Sequence, residues 1–229
     1  MIRTHVDGIN PDVYCYDTGL TFGLTIADEI LKQVNNEYNF ERRSNYNETR
    51  DIKTLIKSIG AEKTRELARR KQQTDKLWPG QQQIKFKQYS LTDDLCIRLL
   101  EETPEWLKLF HKEPWPILQI SDSGDFLPVH KGEERRCGLF MLLESDEQET
   151  RWYRDTEPFE IIEPLKIPDM DKIEQVVSVI MEPGRWYMFN NDEWHSVHKF
   201  SPGSRRVSVG LDFFSIGPEE LLKLLKDNE

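Results

Sequence analysis

The chain has 229 residues and a mass of 27.1 kDa, with 37% hydrophobic and 31% charged residues, which suits one soluble globular domain with a sizeable core and is too short for two full-sized ones. No run approaches the roughly 18 uninterrupted apolar residues of a membrane span, and the start, Met1-Ile2-Arg3-Thr4-His5, has no apolar region of signal-peptide type, so a cytoplasmic protein is expected. The formal net charge of −10 argues against sequence-independent binding to a nucleic-acid backbone, whose affinity comes from Lys and Arg neutralising phosphates.

Along the chain, Thr25 with Asp28 has the form of a capping box, and Ile26, Ile30, Leu31 and Val34 recur at helical spacing, so a helix is expected over 26–37. A second, charged helix is expected over 49–70 with Gly60 as a break, closed by a turn at Trp78-Pro79-Gly80. Thr92 can cap a short helix over 93–101, and Thr103 with Pro104 at the first helical position can start another through residue 110. Beyond Pro116 the helical period gives way to short apolar or alternating runs separated by Gly, Pro and Asp. Strands are expected at 117–121, 126–130, 138–143, 159–162, 176–181, 185–189 and 206–214. Gly217-Pro218 then opens an amphipathic helix with Leu221, Leu222, Leu224 and Leu225 on its apolar side. The fold class is α+β in a single domain, 1–229: a mainly helical support region, 1–114, an antiparallel barrel or sandwich, 115–216, and a C-terminal helix, 217–229.

Charge is unevenly spread. Residues 144–182 hold twelve acids and four bases, a net −8, while 63–87 hold eight bases and two acids, a net +6. The basic strip (Lys63, Arg65, Arg69, Arg70, Lys71, Lys76, Lys85, Lys87) next to the Gln-rich 81–83 reads as a solvated helix face followed by a polar loop; the other reading is a surface for a nucleic acid or another anionic substrate. Cys15, Cys96 and Cys137 are odd in number, widely separated and lack metal-ligand spacing, so they read as reduced, mostly buried thiols.

Of five histidines, three (His130, His195 and His198) lie at or just past strand ends in the β region, His198 reading as a neighbour of the site or a surface residue and not as a ligand. His130 ends the run 126–130, and His195 follows the strand 185–189 after the polar turn 190–193. Two strand-end histidines remote in sequence can meet at one mouth of a closed barrel, where neutral imidazoles suit Fe, Zn, Cu or Ni and leave most of the coordination sphere open; the plainer reading is a pair of strand-end histidines bonded to backbone. In the last strand, alternation puts Arg206, Ser208, Gly210 and Asp212 on one side and Val207, Val209, Leu211 and Phe213 on the other. The polar side has what a carboxylate ligand needs: a guanidinium fork, a hydroxyl and, at Gly210, room. A solvent-facing outer strand would show the same alternation.

The run Pro183-Gly184-Arg185-Trp186-Tyr187-Met188-Phe189-Asn190-Asn191-Asp192-Glu193-Trp194-His195-Ser196-Val197, followed by Gly203-Ser204-Arg205-Arg206-Val207-Ser208, resembles the C-terminal half of the double-stranded β-helix in iron(II)- and 2-oxoglutarate-dependent oxygenases. The resemblance covers residues 115–214. It implies a jelly-roll, cupin-like barrel, with His195 as the distal iron ligand and Arg206, with Ser208, as the anchor for 2-oxoglutarate. Arg205 is a rival, since Gly203-Ser204-Arg205 fits another spacing of the family, but it would share a face with Val207, Val209 and Leu211. His130-Lys131-Gly132 puts Gly where most such oxygenases have the carboxylate of a His-x-Asp motif; this form resembles the aspartyl/asparaginyl β-hydroxylase branch, as do the positions of Phe189 and Asp212. Glu133, Asp192 or Glu193 could supply an oxygen instead. The spacing of 65 from His130 to His195 exceeds what that branch usually has, and the acidic segment 144–172 is read as an insertion near the active-site mouth.

The resemblance implies a metal centre of His130 and His195, with Fe(II), 2-oxoglutarate and O2 as cofactors and no further catalytic side chain. The expected reaction is hydroxylation of an unactivated C–H bond, with halogenation as the variant that a vacant carboxylate position permits. The substrate is left open among a peptide side chain, a nucleobase and a small acid; Arg135 and Arg136 are either exposed turn residues or contacts for an anionic substrate group. Two alternatives stand beside this reading: another metal-dependent enzyme on a cupin-like barrel, and a non-catalytic binding or structural protein on the same scaffold.

Overall fold

A computed structural model describes residues 1–35, 42–45, 52–77, 86–109, 115–121, 126–132, 135–162, 167–198 and 203–229. Its strands are β1 (Ile2–His5), β2 (Cys15–Asp17), β3 (Arg42–Asn45), β4 (Phe86–Tyr89), β5 (Trp115–Ser121), β6 (Phe126–His130), β7 (Cys137–Glu144), β8 (Glu149–Asp155), β9 (Ile173–Ile180), β10 (Trp186–Asn190), β11 (Trp194–His198) and β12 (Arg206–Phe213). Its helices are α1 (Leu24–Asn35), α2 (Ile52–Ile59), α3 (Ala61–Leu77), α4 (Asp93–Glu102), α5 (Glu105–Leu109) and α6 (Pro218–Asp227). None of the described helices is long and apolar enough to cross a membrane.

All strand pairs are antiparallel, in two sheets. One has the order β1-β9-β8-β11-β6 and the other β2-β10-β7-β12-β5-β4-β3. From β5 onward the chain crosses from sheet to sheet at almost every step, only β8 and β9 following each other within one, an order consistent with a jelly-roll sandwich. The inner faces meet in a core of Ile117, Phe140, Leu142, Trp152, Val176, Val177, Val179, Tyr187 and Phe189. The outer face of the larger sheet (Leu118, Leu139, Met141, Trp186, Met188, Val207, Val209, Leu211, Phe213) is covered by apolar stripes of α1, α4, α5 and α6. The continuous apolar run of β7 follows from this sandwiching, since helices press on one of its faces and the second sheet lies under the other.

The helices differ from expectation at their ends. Thr25 does not cap α1, which already begins at Leu24; the Glu102 carboxylate, at the end of α4, accepts from Gly23 N–H (2.7 Å) and from Thr25 Oγ1 (3.0 Å) and serves that end instead. Gly23 sits at φ +71°, with Leu99 Cδ1 2.7 Å from where a Cβ would be, so only glycine fits this tight entry. Gly60, at φ +85°, does separate two helices. Thr92 stands at the α4 N-cap without a side-chain bond, and Thr103, expected to start a helix, turns its hydroxyl back to Leu99 O (2.8 Å) at the end of α4. The turn at 78–80 lies outside the described residues.

Three larger corrections concern the β strands. Residues 1–114 contribute four strands besides their helices. The acidic segment 144–172, read as an insertion, contributes to the sheet: its residues 149–155 form β8, hydrogen-bonded between β9 and β11 inside the smaller sheet. The strand was hidden because Glu149 and Arg151 make it look solvent-bound, whereas they pair with each other (3.0 Å) and Glu149 also accepts from Ser178. The strand expected at 159–162 is absent. One of its carbonyls turns to a side chain instead: Arg70 of α3 donates to Glu160 O (2.8 Å), as it does to Ile167 O further on (3.3 Å), and lies over the Phe159 ring at 5.4 Å.

Basic strip and acidic segment therefore answer each other. Lys63 pairs with Glu160 (2.5 Å), Arg69 with Asp169 (2.8 Å), and Arg70 with Glu66 of its own helix (2.8 Å), so these cations are spent inside the molecule. Arg70 is buried (4% exposed), so Arg70→Met should cost about 2–3 kcal/mol by stranding the carbonyls it serves. Breaking the exposed Lys63–Glu160 pair with Lys63→Ala should change stability by under about 0.5 kcal/mol. Urea unfolding of both variants checks the contrast.

Candidate functional site

β6 and β11 pair so that His130 and His195 stand directly opposite each other, their ring centroids 4.2 Å apart with planes at 57°. Each Nδ1 lies 2.9 Å from the backbone carbonyl two residues earlier, Pro128 O and Glu193 O respectively. A carbonyl oxygen only accepts, so Nδ1 carries the proton in both rings and the lone pair sits on Nε2. Phe189 of β10 packs edge-on against His195 at 5.0 Å and is itself braced by Phe140 (5.3 Å) and Trp152 (4.7 Å). Burial disfavours the charged rings. It pushes His130 down to about 4 and, joined by the neighbouring His130, holds His195 well below the usual imidazole range.

β12 aims Arg206, Ser208, Gly210 and Asp212 inward, with Arg206 opposite Ser121 and Ser208 opposite Gln119 on β5. Arg206 Nη1 donates to Thr150 Oγ1 (3.3 Å) and Ser208 Oγ to Gln119 Oε1 (3.5 Å). No carboxylate pairs with Arg206 among the described residues, and burial pushes its pKa down to about 10. Arg205 faces the other way, where Glu144 and Asn35 (2.6 Å) engage it. Gly210 does not leave room for a ligand: a Cβ there would meet the Phe140 ring at 2.9 Å, so its space is already filled. Arg135 contacts Asp212 at 3.3 Å on the inner face, while Arg136 reaches outward to Asp192 at 3.2 Å.

Gly132 has no room for a side chain. A Cβ would come within 2.5 Å of Arg135 O and 2.8 Å of Asn191 Cβ, and Gly132 N–H donates to Asn191 O (2.8 Å). Of the other oxygen donors considered, Asp192 pairs with Arg136 and Glu193 lies 3.8 Å from Lys131; Glu133 is outside the described residues. No group of three or more His, Cys, Asp and Glu side chains placed to hold a metal occurs among the described residues. His198, on the opposite face of β11 from His195, is buried and joins Ser196 Oγ, which contacts Tyr153 OH at 3.1 Å.

A cavity between the sheets brings His130, His195, Arg206 and Ser208 together. Its walls also include Gln119, Ser121, Arg135, Phe140, Phe189 and Asn191, of which Gln119, Ser121 and Asn191 were not among the sequence candidates. Alternation would have found them, since Gln119 and Ser121 share a face of β5, and Asn191 continues the Tyr187–Phe189 face just past β10. Trp186, on the opposite face, stacks on Phe22 at 4.4 Å.

No protein-family model matches the chain, and no curated protein does. Among solved structures, the chain is similar to a Pseudomonas putida prolyl-4-hydroxylase (TM-score 0.39, 11% identity, covering 87% of this chain and 91% of that one). It is also similar to SnoK, a non-heme alpha ketoglutarate dependent carbocyclase from nogalamycin biosynthesis (TM-score 0.37, 11% identity, 68% and 76%). Likeness at this level carries no functional argument, and the reading that follows rests on the side chains.

The two imidazoles, both pushed below their ordinary range, set a pH dependence. In the unfolded chain they protonate near pH 6.5, in the folded chain only well below that, so the unfolded state takes up more protons as pH falls from about 6.5 towards 4 and stability is lost in that window. Between pH 8 and pH 5 the metal-free protein should lose roughly 2 kcal/mol or more beyond the loss in a His130→Gln/His195→Gln variant, measured by urea unfolding at each pH.

Proposed function

We propose that the protein is an iron(II)- and 2-oxoglutarate-dependent dioxygenase that hydroxylates an unactivated C–H bond, built on a double-stranded β-helix barrel. The single observation that carries this is Arg206, a half-buried guanidinium with no carboxylate partner among the described residues, in the same cavity as two neutral imidazoles whose lone pairs sit on Nε2. A cation left uncompensated in the interior is costly unless an anion joins it, and paired imidazoles suit a first-row transition metal. An anionic metal-binding co-substrate answers both requirements at once, so the residues fit the pair.

His130 and His195 would hold the iron through Nε2, with the Pro128 and Glu193 carbonyls fixing the tautomer and aim of each ring. Arg206 would grip the far carboxylate of 2-oxoglutarate, with Ser208 adding a hydrogen bond. Phe140, Phe189, Leu127 and Val197 line the cavity and exclude water from it. Once bound, iron and 2-oxoglutarate supply the oxidation itself, in which O2 and the co-substrate yield succinate, carbon dioxide and the hydroxylated product. The two-histidine, glycine-containing form resembles the aspartyl/asparaginyl β-hydroxylase branch, and the tight fit at Gly132 supports it as a built arrangement. The substrate class stays among a peptide side chain, a nucleobase and a small acid.

Anaerobic titration and a succinate-release assay test the proposal. The wild type should bind Fe(II) and 2-oxoglutarate and release succinate; His195→Ala should abolish metal binding. Arg206→Met should weaken 2-oxoglutarate binding about 10- to 100-fold without lowering the stability of the metal-free protein, and Arg205→Met should change binding less than about threefold. Tight metal binding without succinate release would point to another metal-dependent enzyme, and absence of metal binding to a non-catalytic protein.

A further inference from the structure

Two adjacent amides at the end of β10 differ in one respect. Asn190 is fully engaged: Nδ2 donates to Val13 O (3.2 Å), and Oδ1 accepts from Asp192 N–H (2.9 Å) and Glu193 N–H (3.2 Å). Asn191, 1% exposed, has no hydrogen-bond partner at Nδ2 among the described residues. Its backbone is pinned, N–H donating to Arg136 O (3.1 Å) and carbonyl accepting from Gly132 N–H (2.8 Å). The side chain therefore has a fixed origin, beside Gly132 and two residues on from His130, and it forms part of the wall of the cavity. An unpartnered buried amide is costly and uncommon in a folded protein.

The neighbours decide what would satisfy it. The cavity presents two neutral imidazoles and the Arg206 cation, and the one buried acid of the β12 inner face, Asp212, is engaged by Arg135. An N–H donor in such surroundings suits an oxygen anion and not a cation. We infer that Asn191 is a binding residue for the anionic co-substrate, its Nδ2 donating to the carboxylate of 2-oxoglutarate nearer the histidines while Arg206 takes the far one. The inference rests on the function proposed above and adds to it that the dicarboxylate is held by protein donors at both ends.

Asn191→Leu removes the donor and keeps the shape. It should melt no lower than the wild type when metal-free, because the lost group had no partner there, and should bind Fe(II) within about twofold. In anaerobic calorimetry with Fe(II) present, its affinity for 2-oxoglutarate should fall about tenfold, as for a hydrogen bond to a charged group. Unchanged 2-oxoglutarate affinity would overturn the inference and leave the proposed function standing, and so would a lower melting temperature of the metal-free variant, which would assign the amide a structural role. A wild type that binds neither Fe(II) nor 2-oxoglutarate would remove the proposed function and this inference together.

Discussion

The site depends on one register. His130 and His195 face each other only because β6 and β11 pair at that step, and a slip of one residue would turn either ring to the opposite face of the sheet. The turn between β10 and β11 secures it. Asn190 Oδ1 gathers the N–H groups of Asp192 and Glu193, its carbonyl accepts from Trp152 Nε1 (3.0 Å), and Arg136 O accepts from both Asn191 and Asp192. Trp152 is a central residue of the inner core, so the position of His195 is tied to the packing between the sheets and not to the loop alone.

Around this register the protein keeps groups that its own packing would disfavour: two imidazoles held neutral and, among the described residues, a guanidinium with no counter-charge and an amide without a partner. Each costs stability where it stands. The helix-covered outer core and the inner core between the sheets carry that load, and they are assembled from the opposite faces of the same strands. In β12 the division is complete, apolar residues outward and Arg206, Ser208 and Asp212 inward. Rules of local consistency fail at such places in proteins that bind something.

Much of this was legible in the sequence. The alternation in β12 separated Arg206 from Arg205, and the turn after β10 located His195, because period-two patterning and turn chemistry are local signals. What stayed hidden was decided by distant partners. β8 reads as a polar stretch until Arg151 is seen against Glu149 and the strand is placed between two others. Residues 159–162 read as a strand, but Arg70, ninety positions before Glu160, takes a carbonyl that a sheet would have used. Gly210 read as space for a ligand, and its true occupant, Phe140, belongs to the neighbouring strand.

Gly132 and Asn191 share one small volume, where Arg135 O also intrudes. Their tolerance to change is therefore linked: enlarging residue 132 is a collision unless residue 191 shrinks and the backbone at 135 withdraws, and substitutions so close do not act additively. A carboxylate at position 132 is thus separated from the present sequence by several simultaneous changes, each harmful by itself. The two-histidine arrangement is held in place by the shape of the mutational landscape as well as by the fold.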